Sequence, residues 1–242
     1  MPDQRRAAIT GCGKYLPEQV MTNHDLEALV DTSDEWITTR TGIKERRIAA
    51  PDQAASDVAL PAAQQALAEA GIAPTDLDLI ICASMTPDMM FPSTGCWLQG
   101  KLGAVPTPAF DLLAACSGFS YSMAMARGQI CSGLAEHVLV VGTEVMSKFT
   151  DFTDRTSCIL FGDGAGAVVV SAAEPGAPGE ILYTTMGADG VNPESMIMPA
   201  GGSSQPATHE TVDQRLHFVK LQGRKVYNLA VRRIVEVIRE CM

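Results

Sequence analysis

The sequence predicts an α/β protein, and three observations carry that expectation. Short apolar runs bounded by turn residues recur along the chain, as they do in strands covered on both faces. Alanine-rich stretches of helix length lie between them. One such stretch starts directly after Ala115-Cys116-Ser117, which places a thiol where a buried strand turns into a helix.

The expected strands are residues 77–83, 109–113, 137–142 and 166–170, each rich in Leu, Ile, Val or Ala. A first helix covers residues 62–70 and is closed by Gly71 and Pro74 in the usual stop order. Pro61 is expected at its first turn, where a proline is tolerated. A second helix spans residues 118–131, and its Ser, Ala, Gly and Met content suits close packing. Its internal Gly128 weakens the isolated helix by about 1 kcal/mol relative to alanine, so tertiary contacts must hold it. Residues 187–213 lose all periodicity in Gly, Pro, Ser and Asn, and read as a long excursion or flap. A third helix covers residues 223–240, with Val226, Ala230, Ile234, Val237 and Ile238 on one stripe and Arg232, Arg233, Glu236, Arg239 and Glu240 mostly off it. No strand follows that helix before Met242, so the second α/β unit is expected to be incomplete in this chain.

Composition narrows the function classes. The 242 residues are 46% apolar and 19% charged, ordinary for a globular protein. The N-terminal Met1-Pro2-Asp3-Gln4-Arg5-Arg6 leads into polar, glycine-rich sequence, and no apolar run reaches about eighteen residues. A cytoplasmic protein with no membrane partner is expected. Seven cysteines are scattered without metal-ligand spacing, which argues against a disulfide framework and a zinc site. A net charge of −10 argues against nucleic acid as the main partner.

Three segments carry candidate chemistry. Cys116 at a helix start has backbone N–H groups and the positive helix end beside it, which favour a thiolate and could form part of an oxyanion hole. A nucleophilic cysteine there suggests acyl transfer through a thioester; an ordinary core cysteine is the alternative. Gly162-Asp163-Gly164-Ala165-Gly166 resembles a phosphate loop but precedes a strand, so it reads as a tight turn feeding that strand. No Gly-x-Ser-x-Gly elbow surrounds Cys116, which disfavours a serine hydrolase. Trp36 and Arg40 stand four apart, with Lys44, Arg46 and Arg47 just beyond. An indole can stack on a purine and guanidinium groups can grip phosphate, although a capped surface helix with a basic edge has the same spacing.

Taken together, Gly11-Cys12-Gly13-Lys14-Tyr15-Leu16-Pro17, Thr22-Asn23, residues 31–37, Arg40-Thr41-Gly42-Ile43, Arg46-Arg47-Ile48, Phe91-Pro92-Ser93, Ala114-Ala115-Cys116-Ser117-Gly118-Phe119, Asp154-Arg155 and residues 161–167 resemble the signature of β-ketoacyl-acyl-carrier-protein synthase III. The resemblance implies a thiolase-type layered αβαβα fold. Residues 1–172 would form its first half with the nucleophile, and residues 173–242 would begin its second. It further implies an initiating condensing enzyme of type II fatty acid synthesis, a homodimer that takes acetyl-CoA or another short acyl-CoA and malonyl-acyl carrier protein.

Under that resemblance Cys116 matches the acyl-accepting cysteine. Trp36, Arg40 and Arg155, with Thr32 nearby, match contacts to the CoA adenine and phosphates. Phe91 matches a residue presented across the dimer interface at the acyl pocket, where its bulk favours short primers. Tyr227 lies at a helix start like the one beside the pantetheine tunnel, but Tyr227-Asn228 stands where the family often has Phe-Lys, which puts one carrier-protein contact in doubt. Basic residues at 44–47 and 224–239 would have to form the docking face for an acidic carrier. No metal or redox cofactor is implied, since the thioester supplies the leaving group and loss of CO₂ the carbanion.

The family's catalytic histidine and asparagine follow the last helix, in a His-Gln-Ala-Asn stretch and a later loop. His24, His137, His209 and His217 sit in no such motif, so the 242-residue polypeptide is expected to be condensation-deficient. Two alternatives remain at this stage: a related condensing enzyme of secondary metabolism, and a noncatalytic acyl-CoA-binding homologue.

Overall fold

The computed structural model describes residues 5–191 and 193–242. Residues 1–4, part of the polar lead read above, and Asn192 of the irregular excursion lie outside the described residues. In chain order the elements are β1 (Arg6–Tyr15), β2 (Gln19–Thr22), α1 (Asn23–Glu27), α2 (Asp34–Thr41), β3 (Glu45–Ile48), α3 (Ala55–Ala70), β4 (Leu79–Ala83), α4 (Thr94–Leu102), β5 (Ala109–Leu112), α5 (Gly118–Cys131), β6 (His137–Val145), β7 (Asp163–Ala173), β8 (Met196–Ile197), α6 (His209–Asp213), β9 (Lys220–Leu221) and α7 (Gly223–Cys241). The contacts group them into two units. The first holds the described residues up to Glu18, Ala49–Val145 and Asp163–Met186; the second holds Gln19–Ile48, Met146–Gly162 and Gly187–Met242.

The first unit is built on a five-stranded mixed sheet in the order β1-β7-β6-β4-β5. Strands β5, β4 and β6 are mutually parallel, while β7 runs antiparallel to both β6 and β1. Strand alternation explains why these runs are apolar throughout. Leu139 and Val141 join the core under α3, while Val138 and Val140 join the core under α5, so both faces are covered.

Helix α3 begins at Ala55, not near Pro61 as the sequence suggested, and carries Pro61 in its interior. The missing proline N–H is tolerated because the helix is held otherwise. Asp57 accepts the Ala54 N–H at 2.9 Å, and Ala55, Val58, Ala59, Ala62, Ala63 and Ala66 are all buried. Its approach to β1 also explains Gly11-Cys12-Gly13. A Cβ on Gly11 would stand 2.2 Å from the Ala66 carbonyl oxygen, and one on Gly13 would stand 2.0 Å from that of Ala62. Strand β1 was not anticipated, because these glycines interrupt its apolar alternation.

The glycines of residues 162–166 also differ from expectation. Gly164 and Gly166 lie within β7, and none of the three has the positive φ of a tight glycine turn. Two of them serve close approach: a Cβ on Gly162 would stand 2.9 Å from that of Arg46, and one on Gly164 would stand 3.3 Å from the Tyr15 carbonyl oxygen.

The second unit pairs β2 with β3 antiparallel and buries Leu26, Ile37, Cys158 and Ile159 as its core. Strands β8 and β9 pair antiparallel as a separate ribbon. Helix α7 has the expected amphipathic stripe, and none of its residues is buried.

Candidate functional site

The nucleophile candidate sits in the first unit. Strand β5 delivers the chain to a single helical turn, Ala115–Ser117, which runs directly into α5. Ala115 has φ +48, a left-handed conformation that costs an alanine about 1–2 kcal/mol. The strained residue immediately precedes Cys116, whose side chain is exposed. Behind it α5 approaches the sheet through Gly118, where a Cβ would stand 3.1 Å from that of Ala83 at the end of β4. Cys116 therefore follows the C-terminal end of a parallel strand, the edge at which α/β sheets commonly hold their ligands. His137 opens β6 at the opposite edge, with its Nδ1 2.9 Å from the Ser171 hydroxyl.

Of the backbone donors at this turn, the Ser117 N–H bonds to the Ala114 carbonyl and the Gly118 N–H to that of Ala115. Those two are committed to the fold, so an oxyanion at this turn would have to take another of its N–H groups, such as that of Cys116. Cys82 and Cys158 are not competing nucleophiles. Both are buried, and burial pushes both thiols up.

Trp36, Arg40, Arg155 and Thr32, which the resemblance matched to CoA contacts, lie in the second unit. Ser33 caps α2, accepting the Trp36 N–H at 3.1 Å, and Gly42 ends it at φ +74. The guanidinium carbons of Arg40 and Arg155 stand 4.5 and 5.0 Å from the Trp36 ring centroid. Arg155 also reaches Asp31 at 3.6 Å. The Thr32 hydroxyl is buried without a hydrogen-bond partner, an open valence beside the indole segment. Structure thus brings Trp36, Arg40 and Arg155 together. Phe91 is 80% exposed on the loop between β4 and α4, and Tyr227 is exposed near the start of α7.

Sequence reasoning missed what holds these pieces. Asn23 is buried; its amide donates to Asp34 and to the Ile43 carbonyl, both at 2.8 Å, and its oxygen accepts from Arg46 at 2.9 Å. That amide, donating to Asp34, holds its carboxyl below the usual range. Arg46 was read as part of a basic binding edge, and the structure corrects this. It is 5% exposed and donates to the Ile159 carbonyl at 2.9 Å, so it is structural and unable to dock a partner. In the first unit, the Asp111 carboxylate accepts the Thr94 and Gly95 N–H groups at 2.8 and 2.7 Å, capping α4 from β5. Glu144 accepts the Met85 N–H at 2.9 Å and the Thr86 hydroxyl at 2.7 Å, and burial pushes its carboxyl up. Only contacts across the fold reveal these roles.

An exposed cysteine at such a turn, on a doubly covered mixed sheet, suits acyl transfer through a thioester, the chemistry of enzymes that condense acyl thioesters. Known proteins sharpen this. The family model of 3-oxoacyl-[acyl-carrier-protein] synthase III matches residues 110–190. The chain is 51% identical to a β-ketoacyl-[acyl-carrier-protein] synthase III of Caldanaerobacter subterraneus subsp. tengcongensis, covering 100% of this chain and 73% of that relative. The crystal structure of the corresponding synthase of Aquifex aeolicus superposes with a TM-score of 0.86 at 47% identity, covering 97% of this chain and 70% of that one. The priming β-ketosynthase of the R1128 polyketide pathway superposes with a TM-score of 0.88 at 34% identity, covering 100% and 71%. The chain belongs to the β-ketoacyl-acyl-carrier-protein synthase III family, the initiating condensing enzymes of type II fatty acid synthesis.

Proposed function

We propose that Cys116 is the acyl acceptor of this condensation. Its sulfur attacks the carbonyl of acetyl-CoA or a similarly short acyl-CoA; a tetrahedral oxyanion forms; the C–S bond to CoA breaks, and the CoA thiolate leaves. The second half-reaction, in which malonyl-acyl carrier protein loses CO₂ and the resulting carbanion attacks the Cys116 thioester, is the step in which the 242-residue polypeptide is expected to be deficient. That step gives the β-ketoacyl carrier protein and returns the cysteine thiolate. The carrying observation is the exposed thiol directly after the left-handed Ala115, at the turn that runs into α5. Loss of the thiolate and of CO₂ supplies the chemistry, so the reading needs no redox cofactor or metal.

Trp36, Arg40, Arg155 and Thr32 form the nucleotide handle in this reading. The indole offers a ring face to adenine, the guanidinium groups face phosphate, and the unpartnered Thr32 hydroxyl is available to a polar edge of the ligand. Phe91 limits primer length from across a homodimer interface, and Tyr227 flanks the pantetheine path. Lys44 and Arg47, with the basic residues of α7 and without Arg46, are the candidates for carrier docking. The division into halves at residues 172 and 173 belongs to the same reading. So does a cytoplasmic location. Likeness to the polyketide priming enzyme supports a second reading with the same cysteine chemistry and a different product.

Isotope exchange tests the first half-reaction. The chain should exchange label between free CoA and acetyl-CoA through the thioester, and Cys116→Ser should abolish the exchange. Undiminished exchange in that variant would refute the assignment.

A further inference from the structure

The loop joining β4 to α4, residues 84–93, presents Met89, Met90 and Phe91 to solvent at 45, 77 and 80% exposure. Loops with apolar tips are ordinarily mobile, because nothing buries the tip and short loops carry few backbone bonds. This one is fastened along its length. At its start, Glu144 takes the Met85 N–H and the Thr86 hydroxyl on separate oxygens, and that hydroxyl accepts the Val145 N–H at 2.8 Å. In its middle, the Asp88 carboxylate accepts the Ser56 N–H at 2.8 Å and the Ser56 hydroxyl at 2.5 Å, while the Asp88 N–H bonds to the Thr94 hydroxyl at 3.1 Å. Lys101 in turn donates to the Ser56 hydroxyl at 2.6 Å. At its end, Asp111 caps the helix that follows.

The fastening points belong to the frame that carries the nucleophile. Asp111 lies on β5, the strand that leads to Cys116, and Ala83 abuts Gly118 one residue before the loop begins. Half-buried carboxylates that accept two donors each hold their partners tightly. A fold that needed only to connect β4 to α4 has no use for them.

We infer that Glu144 and Asp88 are positioning residues that set which acyl group the enzyme accepts, by fixing the loop on which Phe91 stands. The inference rests on the reading of Phe91 as the limit on primer length, and it adds the groups that keep that limit sharp. A Phe91 free to swing would admit longer chains without any change in the ring itself.

The test uses Glu144→Ala, Asp88→Asn, Phe91→Ala and the Glu144→Ala/Phe91→Ala pair. Amide exchange across residues 84–93 is read first, then the rate of Cys116 acylation by acetyl-, butanoyl- and hexanoyl-CoA. Glu144→Ala and Asp88→Asn should speed exchange in the loop. They should raise the ratio of hexanoyl to acetyl transfer about tenfold, the scale of a methylene or more in a fitted pocket, with acetyl transfer little changed. Adding Glu144→Ala to Phe91→Ala should shift the ratio no further, since both act on one obstacle. Asp88→Asn keeps one acceptor for the Ser56 N–H and serves where Glu144→Ala fails to fold. Loop exchange unchanged in either folded variant overturns the inference whatever the activity. So does an unchanged acyl ratio while Phe91→Ala shifts it. An acyl ratio unmoved by Phe91→Ala instead overturns the Phe91 reading.

Discussion

The two regions that carry candidate chemistry are built in opposite ways. Around Cys116 the backbone does the positioning: a left-handed alanine, a helix brought onto β4 through Gly118, and a sheet with both faces covered. Around Trp36 side chains do it, since α2 is a short helix whose place depends on buried Asn23 and Arg46 bonding across the second unit. The difference fits the two tasks. A nucleophile must be held to within about 0.5 Å of its productive position, whereas a nucleotide handle needs only to hold a ring and some phosphates.

The largest expected effect breaks the side-chain region. Asn23→Ala leaves the Arg46 guanidinium buried with one partner fewer, and should cost about 3 kcal/mol of stability in urea unfolding. A loss below about 0.5 kcal/mol, the scale of an ordinary surface change, would show that α2 is placed by its apolar contacts alone. Trp36→Ala should weaken CoA binding about tenfold by calorimetry, the sum expected for one stacking face and its cation contact. Its rate of Cys116 acylation at saturating acetyl-CoA should stay near that of the parent, and a fall in that rate with unaltered binding would blur the separation of handle and nucleophile. Ala115→Gly probes the backbone-built region and should stabilise the chain by about 1 kcal/mol, because glycine adopts φ +48 without the Cβ clash. An unchanged unfolding midpoint would mean that Ala115 stores no strain.

Acid titration sharpens the same comparison. In the second unit Arg215 donates to Asp151 and holds that carboxyl well below the usual range. A depressed folded pKa contributes stability above the unfolded value, near 3.9, that is lost as pH falls through the folded value. Glu144 in the first unit has the opposite sign. Burial raises its carboxyl, so its contribution falls as pH rises from the unfolded value through the folded one. Asp151→Asn should therefore flatten the acid limb of the stability curve, and Glu144→Gln should remove a loss on the rising side. Chemical denaturation across pH reads both, and equal slopes in parent and variants would contradict the assignment.

Legibility followed the range of the forces. The Cys116 turn was readable because a strand, a turn and a small-residue helix are consecutive, and α5 starts and ends at the residues expected of it, Gly118 and Cys131. Trp36 and Arg40 were readable because they share one helix. Helix α3 was misplaced because Pro61 is a local stop signal, and burial of the preceding turn overrides it. Arg46 looked like surface charge because its partner carbonyl, that of Ile159, is 113 residues away in sequence. Asp88, Asp111 and Glu144 were silent for the same reason: single acids with distant partners leave no periodic trace.

The account stands on Cys116 as the acyl acceptor, and one measurement reads that directly. The chain is incubated with acetyl-CoA, digested at acid pH to preserve thioesters, and mapped by peptide mass. One acetyl group should be found on the peptide containing Cys116, labile to hydroxylamine and missing from Cys116→Ser. Acetylation that persists in the serine variant at another of the exposed cysteines, or a parent chain that takes up no acetyl group, would contradict it.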